Sequence, residues 1–341
     1  MRPTTPLRLP EIVAHADWST NPPGRQIAIA RRVGARYTAA APHAVGAIGA
    51  LFETLQAEAG PGGTILLGVD FPIGLPAAYA RAAGITAFRA VLPQLGHGKW
   101  REFYKPAEQP EQIRLTRPFF PARNGAVGAF TRGQLAAGLG VGHFDDLHRA
   151  CDRGHPDRAA AAALFWTLGG NQVGKAAISG WRDLISPALR GAPGRGSEPL
   201  RLWPFDGTLA TLLDKPSAII AETYPGEIYG HLGLGIGARA RSKRRQADRQ
   251  ADAKILAAQA AALDIDLADG FAATLADGFG ADARGEDRFD AAVGLIGMIN
   301  ILRGNRAPGD PRDRERRTVE GWILGQAETP SQPSPTKGGG L

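Results

Sequence analysis

Five acids occupy positions in this 341-residue chain where chemistry is commonly done. Asp17 comes near the end of the alternating run Glu11–Ser19, and Glu222 near the end of Ser217–Tyr224. Asp70 closes the apolar run in Thr64–Pro76, TILLGVDFPIGLP, while Asp287 and Asp290 stand three apart at the head of a long apolar stretch. An apolar run bounded by Gly and Pro reads as a strand buried on both faces. Ligands and catalytic groups gather at the carboxyl ends of such strands. A lone Asp before a turn is as readily a turn starter or helix cap; the same ending recurring in several strands is what points to a shared site. Hard oxygen ligands suit Mg²⁺ or Mn²⁺. Two such ions roughly 3.5–4 Å apart activate a water and stabilise the leaving oxygen in phosphodiester hydrolysis. Asp17, Asp70 and Asp290 are the expected metal ligands, with Glu222 and Asp287 as a further ligand or a base positioning water.

These acids need elements to bring them together. In Glu11–Ser19, Ile12, Ala14 and Ala16 face one way and Val13, His15 and Asp17 the other. The turn Asn21-Pro22-Pro23-Gly24 joins it to a second strand, Gln26–Val33, in a hairpin. Ala35–Ala40 supplies a third strand, and Pro42 opens a helix over His43–Ala59 that ends at Gly60. The last helix, Glu286–Arg303, carries Asp287 and Asp290 on one face with Gly294 and Gly297, so that it can lie close against a sheet. Glu286 and Asp287 also favour a helix N-terminus. Asp290 is harder to explain that way, because a carboxylate among apolar residues costs several kcal/mol unless paired or metal-bound.

Residues 10–71 and 216–325 read as two halves of one core, 72–215 as a long, mostly helical insertion, and 326–341 as a disordered tail rich in Pro, Ser and Gly. Within the insertion, Ala159–Leu168 reads as a helix and Gly191–Pro199 as a flexible connection. Gln246–Leu263 is a further helix, preceded by the cationic run Arg239–Arg245.

Three weaker signals compete. GGNQVGKA (Gly169–Ala176) nearly meets the phosphate-loop pattern, but Ala176 stands where a Mg²⁺-binding hydroxyl is required, so a loop between helices is the better reading. His143, His148, Cys151 and His155 cluster within thirteen residues, at a spacing unlike that of zinc fingers and without a second cysteine. Trp100, Phe103, Tyr104, Phe119 and Phe120 lie among Lys and Arg, where they serve base stacking or loop packing.

A net charge of +7 favours an anionic partner. One cysteine rules out an internal disulfide and fits a reducing compartment. No signal peptide or membrane span is visible, and a cytoplasmic location is expected.

VAHADWS, ILLGVDFPIGLP, IIAETYPGEIYGHLGL, SKRRQADRQADAKIL and EDRFDAAVGLIGMI resemble, in order, the motifs of the family catalogued as domain of unknown function 429. The resemblance spans most of residues 10–303 and implies an α/β RNase H-like mixed sheet flanked by helices. It also implies a nuclease activity supported by divalent metal. On it, Asp17, Asp70, Glu222, Asp287 and Asp290 take the places of the family's acids, and Arg149, Cys151, Asp152 and Arg153 match an Arg-x-Cys-Asp-Arg stretch. His15 and Glu286 depart from the pattern. Nucleic acid or another phosphoester is the expected substrate, with Lys243, Arg244, Arg245, Arg149 and Lys175 as its cationic contacts. A non-cleaving nucleic-acid- or nucleotide-binding protein on the same fold is the alternative, and an actin-like phosphotransferase or ATPase a third.

Overall fold

The apolar run before Asp70 is the middle of a sheet. In the computed structural model, which describes residues 7–123, 130–155, 158–168, 173–191, 198–237 and 241–328, eight strands make one mixed sheet. They are β1 (Ile12–Asp17), β2 (Gln26–Val33), β3 (Arg36–Ala39), β4 (His43–Ala44), β5 (Ile65–Val69), β6 (Leu200–Leu202), β7 (Ala218–Glu222) and β8 (Ile265–Leu267). The order is β6-β7-β5-β1-β2-β3-β8, with β4 beside β2. β1, β2 and β3 are antiparallel, β4 is antiparallel to β2, and the remaining pairs are parallel.

Parallel central strands are buried on both faces, which is why β1, β5 and β7 have no exposed position. Ile12, Ala14, Ala16, Leu67 and Val69 pack on one face, under residues of the 72–205 region. Val13, Leu66, Ile219 and Ala221 pack on the other, under the helices Pro225–His231, Gln246–Ala262 and Gly285–Leu302. The last helix approaches closely because Gly294 lies over the His15 ring, where a Cβ would come within 2.3 Å of three ring atoms.

Four local expectations need correction. The helix expected over His43–Ala59 starts only at Leu51. His43 and Ala44 pair with β2 instead, and Gly46, at φ +73°, breaks the chain before the helix. Ala159–Leu168 is not helical; it runs irregularly, with a turn at Leu164-Phe165 and an isolated bridge from Trp166 to Phe120. Phe165 inserts between Tyr79 and Phe119 while Trp166 turns to Phe120 and Phe144. That alternation overrides the helix propensity of the alanines. A 17-residue helix that the sequence reading missed covers 173–189, with a π-helical stretch at Gly180–Ile185. Residues 326–328, assigned above to a tail, are packed: the Gln326 amide donates to the Cys151 carbonyl and Glu328 pairs with Arg316. Residues 329–341 and most of the Gly191–Pro199 connection lie outside the described residues. Among the described residues, no helix is long and apolar enough to cross a membrane.

Candidate active site

Strand register decides which acids meet. Ala16 pairs with Val69, and Val69 with Glu222. Asp17 and Asp70 are therefore each one residue further on, at the ends of adjacent strands. Side chains alternate along a strand, so Asp17 and Asp70 share the face covered by the last helix, and Glu222 shares the opposite face with Val69.

Asp290 reaches Asp17 and Asp70 from the last helix. Asp17, Asp70, Asp287 and Asp290 lie within electrostatic reach of one another. Asp17 and Asp70 end adjacent parallel strands and face the same side, so each carboxyl disfavours ionisation of the other. Burial, then the charges of Asp70 and Asp290, pushes the Asp17 carboxyl well above its ordinary value. Burial is also the main cause that lifts Asp70 to about 6, against a 2.6 Å bond accepted from the Trp18 amide. Asp287 rises to about 6, through burial and then the neighbouring Glu286. Among these acids stands one ammonium. Lys243 donates to Asp290 Oδ2, and the Tyr229 hydroxyl donates to Asp290 Oδ1. Burial works against the charge on Lys243, but Asp290 and Asp17 outweigh it and raise its value. The backbone at Lys243 is fixed by the buried Arg249 guanidinium, which donates to its carbonyl and to those of Gly278 and Gly280.

Asp70, Asp290 and Lys243 line a cleft of about 580 Å³, with Trp18, Tyr224 and Tyr229 among its walls. The helix at 173–189 braces it: Trp18 Nε1 donates to Ser179 Oγ at 3.0 Å, and Trp181 Nε1 to the Pro72 carbonyl at 2.7 Å. The residues that follow both strand acids are thus tied to one helix.

The remaining candidates lie elsewhere. Glu222 accepts two 2.6 Å bonds from Arg149, which also binds Asp152. Both residues are buried on the far side of the sheet register, so Glu222 does not join the other acids and Arg149 is closed to a substrate. Arg244 and Arg245 are exposed; Arg245 pairs with Asp248 at 2.6 Å, and Arg244 stands 3.9 Å from Glu286. Arg239 and Gly169–Gln172 of the phosphate-loop-like run lie outside the described residues. Lys175 falls within a helix and is not among the residues lining the cleft. His143, His148, Cys151 and His155 do not assemble: Cys151 is buried, His148 faces Asp145 at 3.9 Å, and His155 lies 3.8 Å from Glu227. The five aromatics of the insertion are buried in its core, where Phe103 contacts Trp100, Tyr104 and Phe119 edge-on.

Sequence reasoning missed Trp18, Tyr224 and Tyr229. Trp18 directly follows a candidate ligand, and Tyr224 and Tyr229 flank the first turns of a helix opened by Pro225 after a strand end; those positions were the available signal.

The acids suit a hard divalent cation in kind, and one lysine leaves them in charge excess. Among the described residues, however, no three or more His, Cys, Asp or Glu side chains stand close enough together to hold a metal ion. The Lys243 ammonium stands at Asp290, where it does part of a cation's electrostatic work. Compared with known proteins, the chain matches no family model, no curated protein and no solved structure.

Proposed function

We propose that the chain is a divalent-metal-dependent hydrolase of phosphodiester bonds on an RNase H-like core. The order β3-β2-β1-β5-β7, antiparallel and then parallel, supports the fold assignment, as do the motifs shared with domain of unknown function 429. One observation carries the chemistry: Asp17, Asp70, Asp287 and Asp290, from two strand ends and one helix, lie within electrostatic reach of one another, and Asp70 and Asp290 line a cleft with Lys243. To hold Mg²⁺ or Mn²⁺, Asp17, Asp70 and Asp290 would have to draw closer than they stand here, with the ion taking the place of the Lys243 ammonium at Asp290. When bound, the ion would supply Lewis-acid stabilisation of a phosphoryl oxygen and an acidified water. Asp287, near the cluster and half-buried, is suited to orient that water. Tyr229 and Lys243 hold Asp290 in place.

The Lys243–Asp290 contact favours a second reading, phosphoester binding without cleavage. A titration with Mn²⁺ and Mg²⁺ against single-stranded DNA, RNA and bis(p-nitrophenyl) phosphate separates the two. Under the hydrolase reading, turnover appears with cation and falls at least about a hundredfold in Asp70→Asn, a variant that stays folded. Phosphoester binding with no cation-dependent turnover would favour the second.

A further inference from the structure

One guanidinium in the cleft is fixed at one end and free at the other. Arg241 lines the same cleft as Asp70 and Asp290. Its Nη1 donates to Asp252 Oδ1 at 2.5 Å, and no other hydrogen bond from its side chain is found among the described residues. The side chain is 39% exposed, so two of its nitrogens remain available as donors.

Three features build this arrangement. Asp252 is fully buried on the helix Gln246–Ala262, and it also accepts from the amides of Gly235 and Ile236 at 3.0 and 2.8 Å. A carboxylate with three donors is rigidly set. The guanidinium lies across Gly235, where a Cβ would stand 2.3 Å from Nη1 and 2.8 Å from Cζ, so a side chain at this position would displace it. Finally, Arg241 and Lys243 are two apart in a segment without helical structure, and both reach the cleft. The turn between Ser242 and Arg245 then carries Arg244 and Arg245 outward.

We propose that Arg241 is the substrate's phosphoryl clamp, donating to non-bridging oxygens of a phosphoester seated against Asp70 and Asp290. This rests on the phosphoester reading above. A cleft of about 580 Å³ lies in the range of small-molecule sites. Its half-buried Tyr224 ring is backed by the Arg158 guanidinium at 5.1 Å. The occupant is therefore a nucleotide-sized unit, with a planar base beside Tyr224 and its phosphate at Arg241. Lys243 is engaged by Asp290, which leaves Arg241 as the cation with donors to spare.

The test uses the full chain and the p-nitrophenyl ester of thymidine 5′-phosphate. Binding is followed by tryptophan fluorescence and turnover in Mn²⁺, for wild type, Arg241→Gln, Arg241→Lys and Gly235→Ala, each checked for folding by near-ultraviolet circular dichroism. The expected result is a Kd and KM raised about tenfold or more in Arg241→Gln and Gly235→Ala, with kcat within about threefold and Arg241→Lys intermediate because it lacks the fork. Arg241→Gln introduces no clash at Gly235 and keeps a side-chain donor for Asp252, and Arg241→Lys keeps the charge, so these two decide the matter if Gly235→Ala does not fold. If the wild type binds the ester without cleaving it and Arg241→Gln binds more weakly, the clamp stands and only the hydrolase reading falls. Unchanged Kd and KM in Arg241→Gln overturn the clamp even where cleavage is intact, and so does a wild type that fails to bind the ester.

Discussion

Asp70 shows how burial makes a carboxyl group serve a site. Its value of about 6, against an ordinary 3.8, comes first from burial and is only partly offset by the Trp18 amide. A carboxyl raised on folding favours the native state while protonated, and that contribution is lost as the pH rises through about 6. His15 works the other way. Burial holds it at about 3, so protonation of the unfolded chain costs stability as the pH falls below 6.5. Asp70→Asn separates the two effects, because it keeps an acceptor for Trp18 and leaves His15 untouched. In chelator, its Tm should exceed that of the wild type above pH 6, by on the order of 1 kcal/mol in stability, and the gap should close below about pH 4. Added Mn²⁺ should raise the wild-type Tm at pH 7.5 and leave the variant nearly unmoved; thermal scans across pH with and without cation check both. The acids themselves were legible as residues, because strand ends and an isolated Asp in an apolar helix stand out in one dimension. The Arg149–Glu222 pairing was not, since it depends on which face each strand residue takes.

Among the elements, the last helix carries the most consequence. Its 18 residues include Gly294 and Gly297, each of which would ordinarily weaken a helix by about 1 kcal/mol relative to alanine. Gly294→Ala should nevertheless destabilise. Its Cβ would fall 2.3 Å from the ring of His15, a fully buried side chain held at 2.8 Å by Thr223. Overpacking of this kind costs about 1–3 kcal/mol, more than the helix gains, and urea titration should show a lower midpoint with unchanged slope. Gly68 and Gly294 together leave room for the His15 ring. The central strands and the last helix were readable because burial on both faces writes itself as apolar runs. The helix at 173–189 was not readable, because its glycines, proline and π-helical turn blur the usual period, and Phe71 fills the space over Gly180.

Across the whole molecule, one buried ionic knot joins the region between the core halves to the sheet. Arg149 and Asp152 come from that region, Glu222 ends β7, and the Ile73 amide donates to the same Glu222 carboxylate at 2.7 Å. Arg149→Ala would leave two buried carboxylates without their partner, which costs about 3–5 kcal/mol. The expected result in chemical denaturation is a large loss of stability, with less loss for Glu222→Gln, which keeps acceptors and donors at the same place. The sequence divided the chain at residue 215, while β6, at Leu200–Leu202, lies on the main sheet beside β7. A three-residue strand with one exposed Arg carries too little alternation to be read without its partner.

The acids of the cleft are carried by β1, β5 and a helix far downstream. During synthesis, Asp17 and Asp70 emerge together with the strands that hold them, long before Asp290 and Lys243 leave the ribosome. A nascent chain at that stage has two of the four neighbouring acids and neither Arg241 nor Lys243. Completion of folding is itself the step that brings Asp290 and Lys243 to the two strand-end acids.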